Sequence, residues 1–377
     1  MKSGFQIQMV DLQRQYQRLS AEIDPAIKSC LQSAHFIQGQ DVRNFEQELG
    51  RYLSSKYTIS CGNGTDALML ACMALGLKTG DKVIVPGFTY IASVEILKLL
   101  GIEPVYCDVD EHHFMLTTEY LDKVYSSECK ALIVVHLYGQ CAEMEEIVAW
   151  ANMRGVLIIE DNAQAIGAEC LMGGELVTAG TIGHIGTTSF FPSKNLGAFG
   201  DGGAIFTQNE VLAQSLKMMA NHGQSRKYIH DAIGVNSRLD TIQAAILSVK
   251  LKHLSEFTNA RRAVADSYDL HLKSIAEIQI PRRIATSTHV FHQYTIRLKD
   301  KNTRDTLQEF LKEMQIPSVV YYPLPVYHQK PYYQEIFLPN TEKLCQQVLS
   351  LPIHTEMTEQ EIDYICKSIK QFFDAAP

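Results

Sequence analysis

Residues 131–164 read ALIVVHLYGQCAEMEEIVAWANMRGVLIIEDNAQ, in which two short apolar runs flank an amphipathic segment. The runs at 131–136 and 156–160 are rich in β-branched residues and lack polar alternation, which is typical of strands covered on both faces. The segment at 144–153 has the pattern and length of a helix. A strand, a helix and a strand in this order indicate a parallel sheet, so we predict an α/β fold.

The same alternation extends on both sides of this unit, from residue 58 to residue 206. The other predicted strands are 58–61, 82–86, 104–108, 189–191 and 203–206, and the predicted helices between the first of them are 66–77 and 92–100. Residues 11–54 have helical periodicity, which a polar stretch at 37–40 interrupts. This part of the chain is therefore predicted to form one large sheet domain that begins with a helical segment.

A long helix is predicted at 239–272, because this stretch contains no Gly or Pro. It is expected to lead from the large domain, residues 1–251, to a smaller domain of residues 252–377. The smaller domain is predicted to contain two strands and two helices, at 289–298, 303–314, 318–322 and 358–373. The last helix begins with a capping box formed by Thr358 and Glu361.

Composition excludes several classes of function. The 377 residues carry a net charge of −8 and no block of basic residues, which argues against binding to nucleic acid or to an anionic membrane. No apolar run reaches the ~18 residues of a membrane span, and the first residues lack a signal-peptide core. The nine cysteines are scattered without a C-x-x-C pair, which favours a reduced, cytoplasmic protein and predicts no metal site.

Four polar strings are candidates for the functional site. The first is Gly62–Leu68, a glycine turn between a predicted strand and a predicted helix. Such a turn lets backbone approach a ligand closely, and a helix N-terminus attracts a phosphate. Thr65 adds a hydroxyl. A glycine turn that binds no ligand is the alternative.

The second string begins with Glu160-Asp161 at the end of an apolar strand. Ligands of open α/β sheets bind beyond the carboxyl ends of the strands, so Asp161 is predicted to face the site. A carboxylate there can bond the protonated pyridine nitrogen of a pyridoxal ring. Asp161 could equally cap the segment that follows.

The third string is Ser189-Phe-Phe-Pro-Ser-Lys194-Asn-Leu-Gly197, which is followed by Gly-Asp-Gly-Gly at 200–203. A Schiff-base lysine must lose its proton near neutral pH, which burial and neighbouring charges can arrange. Most loop lysines are simply solvated. The glycine turn at 62–68, Asp161 and Lys194 occur in this order along the chain. This order makes Lys194 the candidate for a Schiff-base lysine. The fourth string, 236–240, follows a polar stretch at 221–224, and helix capping would also explain it.

Together these strings resemble the DegT/StrS-type sugar aminotransferase family, and the resemblance runs from Val10 to the terminal helix. It implies the pyridoxal-phosphate-dependent transferase fold of type I, with a large, mainly parallel seven-stranded sheet domain and a smaller C-terminal α/β domain. It also implies pyridoxal 5′-phosphate as cofactor and a homodimer with shared active sites.

The resemblance assigns roles to individual residues. Lys194 corresponds to the lysine that binds the cofactor covalently and acts in catalysis. The cofactor contacts that it implies are Asp161 at the pyridine nitrogen, Gln164 near the ring hydroxyl, Tyr90 stacked on the ring, Gly64, Thr65 and Ser189 at the phosphate, and Asn236 reaching the phosphate from the partner subunit. The substrate contacts that it implies are Arg238, Tyr321 and Tyr322.

The lysine loop is most similar to enzymes that aminate C3 of the sugar, and in particular to transaminases of UDP-2-acetamido-3-keto-glucuronate that serve bacterial surface polysaccharides such as the lipopolysaccharide O-antigen. Those enzymes take glutamate as amino donor. Tyr321 stands where they have His, which leaves a dTDP-linked 3-keto-6-deoxyhexose open as the substrate.

Other activities remain possible from the sequence. A non-catalytic regulatory relative would lack the lysine or the aspartate, and a sugar dehydratase of this family would carry His in place of Lys194. In an enzyme of amino-acid metabolism, Arg238 or Arg226 would hold the α-carboxylate of the substrate. His136, Tyr138 and His222 are expected near the site, as substrate contacts or as core residues.

Overall fold

The computed structural model describes residues 6–374 and has a large sheet at its centre. The strands of the described residues are β1 (Tyr57–Cys61), β2 (Lys82–Pro86), β3 (Glu103–Cys107), β4 (Cys129–Val135), β5 (Leu157–Asp161), β6 (Glu169–Met172), β7 (Glu175–Thr178), β8 (Ile185–Ser189), β9 (Gly203–Thr207), β10 (Gln224–Arg226), β11 (Ile229–His230), β12 (Tyr294–Arg297) and β13 (Val348–Leu351). Seven of them form one sheet in the order β1-β9-β8-β5-β4-β2-β3. Only β9 runs antiparallel to its neighbours in this sheet. The prediction of an α/β fold with a mainly parallel seven-stranded sheet is confirmed.

Helices cover both faces of this sheet. The α-helices are α1 (Leu12–Ser33), α2 (Gln40–Leu53), α3 (Gly64–Ala74), α4 (Ala92–Leu99), α5 (Thr118–Val124), α6 (Met144–Arg154), α7 (Glu210–Met219), α8 (Thr241–Lys252), α9 (Leu254–Leu272), α10 (Lys301–Glu313), α11 (Pro339–Gln347) and α12 (Glu359–Asp374). On one face, residues of α1, α2 and α8 form a cluster with Phe190 and Phe206, and Phe45 packs edge-on against Phe190. The opposite face packs against α3, α4 and α6. Burial on both faces explains why the central strands are almost entirely apolar.

A second apolar cluster lies in the C-terminal part of the chain. It joins α9, α10 and α12 to the antiparallel pair of β12 and β13, with Tyr268 and Tyr294 among its largest buried side chains. The capping box of α12 is present, since Thr358 and Glu361 exchange hydrogen bonds of 2.8–3.2 Å. We propose that the chain divides between residues 251 and 252, and the separate second cluster supports this division.

Four predicted elements were wrong in their extent. The predicted helix at 239–272 is two helices, α8 and α9, which meet at His253. The N–H of His253 bonds to the carbonyl of Lys250, three residues back, and its ring bonds to Glu22 and Glu256. These bonds to a distant helix interrupt the α-helical pattern where neither Gly nor Pro announces a break.

The other three corrections concern residues near the site. The predicted strand at 318–322 is absent, and only Val319 pairs, with Ser350, because the next residues turn toward the large sheet. The predicted strand at 289–298 shrinks to β12, since residues 289–293 bond to the turn at 138–141 instead. Strand β8 ends at Ser189, two residues earlier than predicted.

Three observations bear on the excluded classes of function. No helix within residues 6–374 is long and apolar enough to cross a membrane. Within the same residues, no three His, Cys, Asp or Glu side chains are grouped as metal ligands. All nine cysteines are buried and none is paired in a disulfide.

Candidate active site

The candidate site lies at the carboxyl end of β5, where Asp161 is the last residue of the strand. Asp161 is buried between Val135 of β4 and Thr187 of β8 in the sheet. One carboxylate oxygen accepts the hydroxyl of Ser93 at 2.8 Å, and the other accepts the N–H of Ala163 at 3.1 Å. These two bonds fix the direction of the carboxylate. The bond to Ala163 also shows that local capping and a role in the site coexist in Asp161.

The neighbouring Glu160 points to the other face of the sheet, because successive side chains of a strand alternate. It is fully buried and accepts N–H groups of Gly180, Ile182 and Gly183 at 2.6–2.8 Å. His136 lies 2.9 Å from Glu160 through Nε2. Since its Nδ1 accepts the N–H of Ala142, the proton of the neutral ring is on Nε2 and is donated to Glu160. His136 is therefore a core residue and not a substrate contact.

Replacement of Glu160 by glutamine is expected to lower the free energy of unfolding by about 2–4 kcal/mol, because a carboxamide has one acceptor oxygen for three N–H groups. Urea unfolding measures this loss. The matched control is Glu145→Gln, where an exposed carboxylate accepts only the N–H of Gly173 and the change should stay within ~0.5 kcal/mol. Equal losses in the two variants would contradict the anchoring role of Glu160.

The glycine turn forms a cradle at the N-terminus of α3. The side chain of Asn63 caps this helix by accepting the N–H of Asp66 at 2.8 Å. Among residues 6–374, no acceptor is bonded to the N–H groups of Gly64 and Thr65. A Cβ atom on Gly64 would lie 2.7 Å from the Cβ of Ser189, so glycine is required for the turn to touch the end of β8. Two free N–H groups at a helix N-terminus suit a phosphate.

Lys194 lies in a tight loop after β8. Its N–H bonds to the carbonyl of Phe191 at 2.8 Å, and the N–H of Ala198 bonds to the carbonyl of Phe190 at 2.8 Å. Burial lowers the pKa of Lys194 to about 8, although the charge of Asp161 acts in the opposite direction. Lys194 and Asp161 are thus close enough for their charges to interact, as the resemblance implies. A lysine of this pKa is still mainly charged at neutral pH, but it supplies far more free amine there than a solvated lysine does.

The residues around Lys194 keep it in place. Asn195 donates to the carbonyl of Val290 at 3.0 Å, and its amide oxygen lies 3.3 Å from Nδ1 of His292. Burial holds the pKa of His292 well below its usual range, and the positive charges of Lys194 and Arg261 lower it further. His292 is therefore neutral beside the lysine loop. The 289–293 segment, mispredicted as a strand, is what carries it there.

Gln164 links the cofactor side of the site to the aromatic residues. Its oxygen accepts the N–H of Tyr138 at 2.7 Å, and its nitrogen donates to the hydroxyl of Tyr322 at 3.1 Å. The hydroxyl of Tyr138 in turn donates to the carbonyl of Tyr321. Tyr90 is 55% exposed, with its ring centroid 6.1 Å from that of Tyr322. Tyr138 is thus a buried residue that connects Gln164 to Tyr321 by hydrogen bonds. The ring of Tyr90 is exposed and available for stacking.

Asn236 and Arg238 lie apart from this cluster, behind the cradle. Ser237, between them, accepts the N–H of Gly62 and donates to Asp66. Arg238 donates to Asn221 at 3.1 Å and lines a cleft of about 240 Å³ with Arg43 and Lys217. Asn236 is exposed, and so is His222. In the described residues, no hydrogen bond joins Asn236 or Arg238 to Lys194, Asp161 or Tyr322.

Three functional supports were missed from the sequence. Ser93 lies inside α4, where a serine has no signal that a carboxylate will face it. Ser237 and Asn195 were inside quoted strings but had no assigned role. Their partners Asp161, Val290 and Gly62 are 68, 95 and 175 residues away in the chain, so spacing cannot reveal them.

The donor set fits the cofactor that the resemblance implies. A cradle with two free N–H groups can hold a phosphate, and the Asp161 carboxylate can hold a proton on a pyridine nitrogen. Lys194 has a pKa near 8 and lies within reach of the charge of Asp161. These are the three groups that pyridoxal phosphate needs: an anion site, a partner for the ring nitrogen and a reactive amine.

Comparisons with known proteins agree with this fit. Residues 17–370 match the DegT/DnrJ/EryC1/StrS aminotransferase family. The chain is 42% identical over 364 residues to the UDP-2-acetamido-2-deoxy-3-oxo-D-glucuronate aminotransferase of Pseudomonas aeruginosa, covering 96% of this chain and 99% of the relative. It is 41% identical over 373 residues to a pleiotropic regulatory protein of Geobacillus stearothermophilus, covering 97% of this chain and 98% of the relative.

A solved structure is similar over its full length. It is the S. venezuelae protein DesV in complex with a ketimine intermediate, with a TM-score of 0.94 and 35% identity, and it covers 99% of this chain and 100% of that one. The match confirms the predicted fold type, and the family uses pyridoxal phosphate as its cofactor. The chain belongs to the DegT/DnrJ/EryC1/StrS aminotransferase family.

Proposed function

We propose that this sugar aminotransferase moves an amino group from glutamate to C3 of a nucleotide-linked keto-sugar. The proposed sugar is UDP-2-acetamido-2-deoxy-3-keto-glucuronate, and the product serves surface polysaccharide synthesis. The observation that carries the proposal is a half-buried Lys194 whose charge interacts with that of Asp161, beside a helix N-terminus that has two N–H groups without an acceptor within residues 6–374. The 42% identity to an aminotransferase of this sugar class supports the choice of substrate.

Each residue of the site has its own role in the proposed reaction. Bound pyridoxal phosphate supplies an electron sink for the pair of electrons left when a C–H bond breaks. Lys194 Nζ removes the proton from the α-carbon of the amino donor and returns a proton in the second half-reaction, and its pKa near 8 suits both steps. Asp161 holds the proton on the pyridine nitrogen, and Ser93 keeps the carboxylate directed there. The cradle at Gly64, Thr65 and Ser189 holds the phosphate.

The sugar nucleotide is proposed to contact residues on both sides of the cofactor. Tyr321 and Tyr322 are proposed to lie on the side of the cofactor ring. The hydroxyl of Tyr322 bonds to Gln164, and Tyr321 is connected to Gln164 through Tyr138. Arg238 offers a planar guanidinium, which suits a uronate carboxylate or a phosphate group. Its cleft is also lined by Arg43, Lys217 and the carboxylate of Glu46, so cations outnumber acidic groups there, which supports an anionic ligand.

Attachment of pyridoxal phosphate to the cofactor-free protein is expected to speed up as the pH rises, with a midpoint near 8. The free amine is the reactive form, and burial places the pKa of Lys194 at about 8 rather than its ordinary value near 10.4. Stopped-flow absorbance at a series of pH values measures the rate. A midpoint near 10 would show that Lys194 is solvated in the cofactor-free protein.

We further propose a homodimer with shared sites. Exposed apolar side chains gather near the lysine loop and the β10–β11 hairpin, and they are Phe191, Phe199, Tyr228, Ile229 and Ile233. Asn236 is exposed and makes no side-chain hydrogen bond within residues 6–374, which leaves it available to a partner subunit. A closed two-fold dimer would cover the apolar residues.

Mixing two inactive variants tests the shared site. Asn236→Asp places a negative charge beside the cofactor phosphate, and Lys194→Ala removes the amine. If Asn236 serves the partner's site, a refolded equimolar mixture is expected to regain about a quarter of wild-type activity, because half of the dimers are mixed and each has one intact site. Without recovery in the mixture, Asn236 would belong to the site of its own chain.

The function is tested by the absorbance of the cofactor-loaded protein during a titration with glutamate and then with UDP- and dTDP-linked 3-keto-sugars. Glutamate should remove the band near the edge of the visible range, and the UDP-linked keto-uronate should restore it. Restoration by a dTDP-linked 3-keto-6-deoxyhexose alone would select that alternative. A band that responds to neither donor nor sugar would refute the transaminase.

A regulatory function is the second candidate, because one relative of 41% identity is named a pleiotropic regulatory protein. Against a purely regulatory role, Lys194 and Asp161 are both present and close together.

We also place the enzyme in the cytoplasm, which nine buried and unpaired cysteines support.

A further inference from the structure

Lys250 is a buried cation without an acidic partner. It lies on α8, is 1% exposed, and forms no ion pair within residues 6–374. Its Nζ donates to the carbonyl of Gly197 at 2.7 Å and lies 4.8 Å from the ring centroid of Phe199. Burial lowers the pKa of Lys250 to about 8, which leaves the ammonium charged at neutral pH. All of its polar contacts are therefore directed at one loop.

A buried, charged lysine destabilises the folded state in comparison with a methionine, which would fill the same space. A charge removed from water is destabilising unless hydrogen bonds and opposite charges compensate for it, and here one carbonyl and one ring provide the compensation. Around Lys250, the neighbouring side chains Leu247, Leu251 and Leu254 belong to an apolar cluster. A packing role alone would not require an ammonium at this position.

The loop that Lys250 contacts is the one that carries Lys194. Gly197 is three residues after Lys194, and a Cβ there would lie 2.2 Å from the carbonyl oxygen of Pro192, so the loop is tightly wound. Asn195 ties the middle of the loop to Val290, and the amide of Ala198 closes it on Phe190. On the side of α8, two contacts hold the end of the loop: Lys250 bonds to the carbonyl of Gly197, and the side-chain oxygen of Gln243 accepts the N–H of Phe199 at 2.8 Å. Of the two, Lys250 supplies the charged donor.

We propose that Lys250 is a positioning residue that holds the Lys194 loop through its bond to the Gly197 carbonyl. Its role in transamination rests on the function proposed above. A charge-assisted hydrogen bond is stronger and shorter than a neutral one and fixes the carbonyl more firmly. Lys194 must reach both the cofactor and the donor's α-carbon, and a displacement of one ångström can cost about 100-fold in rate.

The test compares Lys250→Met with Lys252→Met, which removes an exposed lysine from the same helix. Amide hydrogen exchange of the cofactor-free protein is the first measurement. In Lys250→Met, the amides of Lys194 and Ala198 should exchange about tenfold faster or more, while the amides of β5 keep their wild-type rates. The control should match wild type at both places.

The second measurement is steady-state kinetics of the cofactor-loaded protein. Lys250→Met should lower kcat by about 10- to 100-fold and change KM for glutamate by less than about threefold. If Lys250→Met does not fold, Lys250→Arg carries the test, since its guanidinium retains a charged donor. Loop exchange and kcat within about threefold of wild type then support the proposal, and tenfold changes overturn it.

Two results with Lys250→Met would overturn the proposal: loop exchange at the wild-type rate, or acceleration that is equal in β5 and in the loop. The second would mean a general packing role. Absence of transaminase activity in the wild-type protein would instead refute the proposed function. The exchange measurement needs neither cofactor nor substrate, so the two failures are distinguishable.

Discussion

Lys194→Ala is expected to lower kcat by about 1,000-fold or more, the largest effect of any single substitution in this chain. The substitution removes both the amine that binds the cofactor and the base that moves the proton, and general acid–base catalysis alone contributes about 10²–10⁴-fold. Single-turnover absorbance with glutamate measures the loss. The cradle and Asp161 are untouched, so cofactor binding should persist without the absorbance band of the lysine-bound form.

Lys252→Ala is the matched control, because Lys252 is exposed on α8 and contacts no residue of the site in the hydrogen bonds of the described chain. Its kcat should equal that of wild type. Turnover of Lys194→Ala within about tenfold of wild type would contradict the assignment of the catalytic lysine.

Asp161→Asn is expected to lower kcat by about 100- to 1,000-fold with the fold intact. The amide has nearly the same shape but no charge, so it cannot keep a proton on the pyridine nitrogen. A preorganised charge in a closed site contributes a rate factor of about 100 to 1,000. The kinetics should be measured on protein saturated with cofactor, so that weaker cofactor binding does not enter kcat.

Ser93→Ala provides the graded comparison. It removes the hydroxyl that directs Asp161 and leaves the charge, so the expected loss is about fivefold, the value of one hydrogen bond. Combined with Asp161→Asn, it should add little, since Ser93 acts through Asp161. Full additivity in the double variant would show that Ser93 acts independently.

The sequence was sufficient for the parts of the fold that depend on local patterns. Strands β1 to β5 are apolar runs buried on both faces, and each was predicted within about two residues. The break between α8 and α9 was not predictable, because it depends on Glu22, more than 200 residues from His253. The segment at 318–322 has a strand-like composition, yet its polar groups bond to Gln164 and Tyr138 rather than to a second strand.

In the candidate site too, the residues that follow local patterns could be predicted, and those that depend on distant contacts could not. Lys194, Asp161 and the cradle could be located because each lies at the carboxyl end of a strand or in the loop that follows one, and these strand ends meet at one edge of the sheet. Asn236, Arg238 and the supporting roles of Ser93, Ser237 and Lys250 depend on contacts between distant segments. No local pattern contains them, and the contact of Asn236 with the partner's cofactor and of Arg238 with the substrate remain predictions.

We propose that position 321 bears on the choice of sugar, whereas Lys194 and Asp161 handle the amino group. The Tyr321–Tyr322 segment belongs to no strand, and Val319 pairs with Ser350 of β13 just before it. Tyr321 makes no side-chain hydrogen bond within residues 6–374, so its side chain can be exchanged without disturbing the strands that carry Asp161 and the lysine loop, whereas the hydroxyl of Tyr322 bonds to Gln164. For engineering, this makes position 321 the first to randomise when a different amino sugar is wanted from the same catalytic machinery.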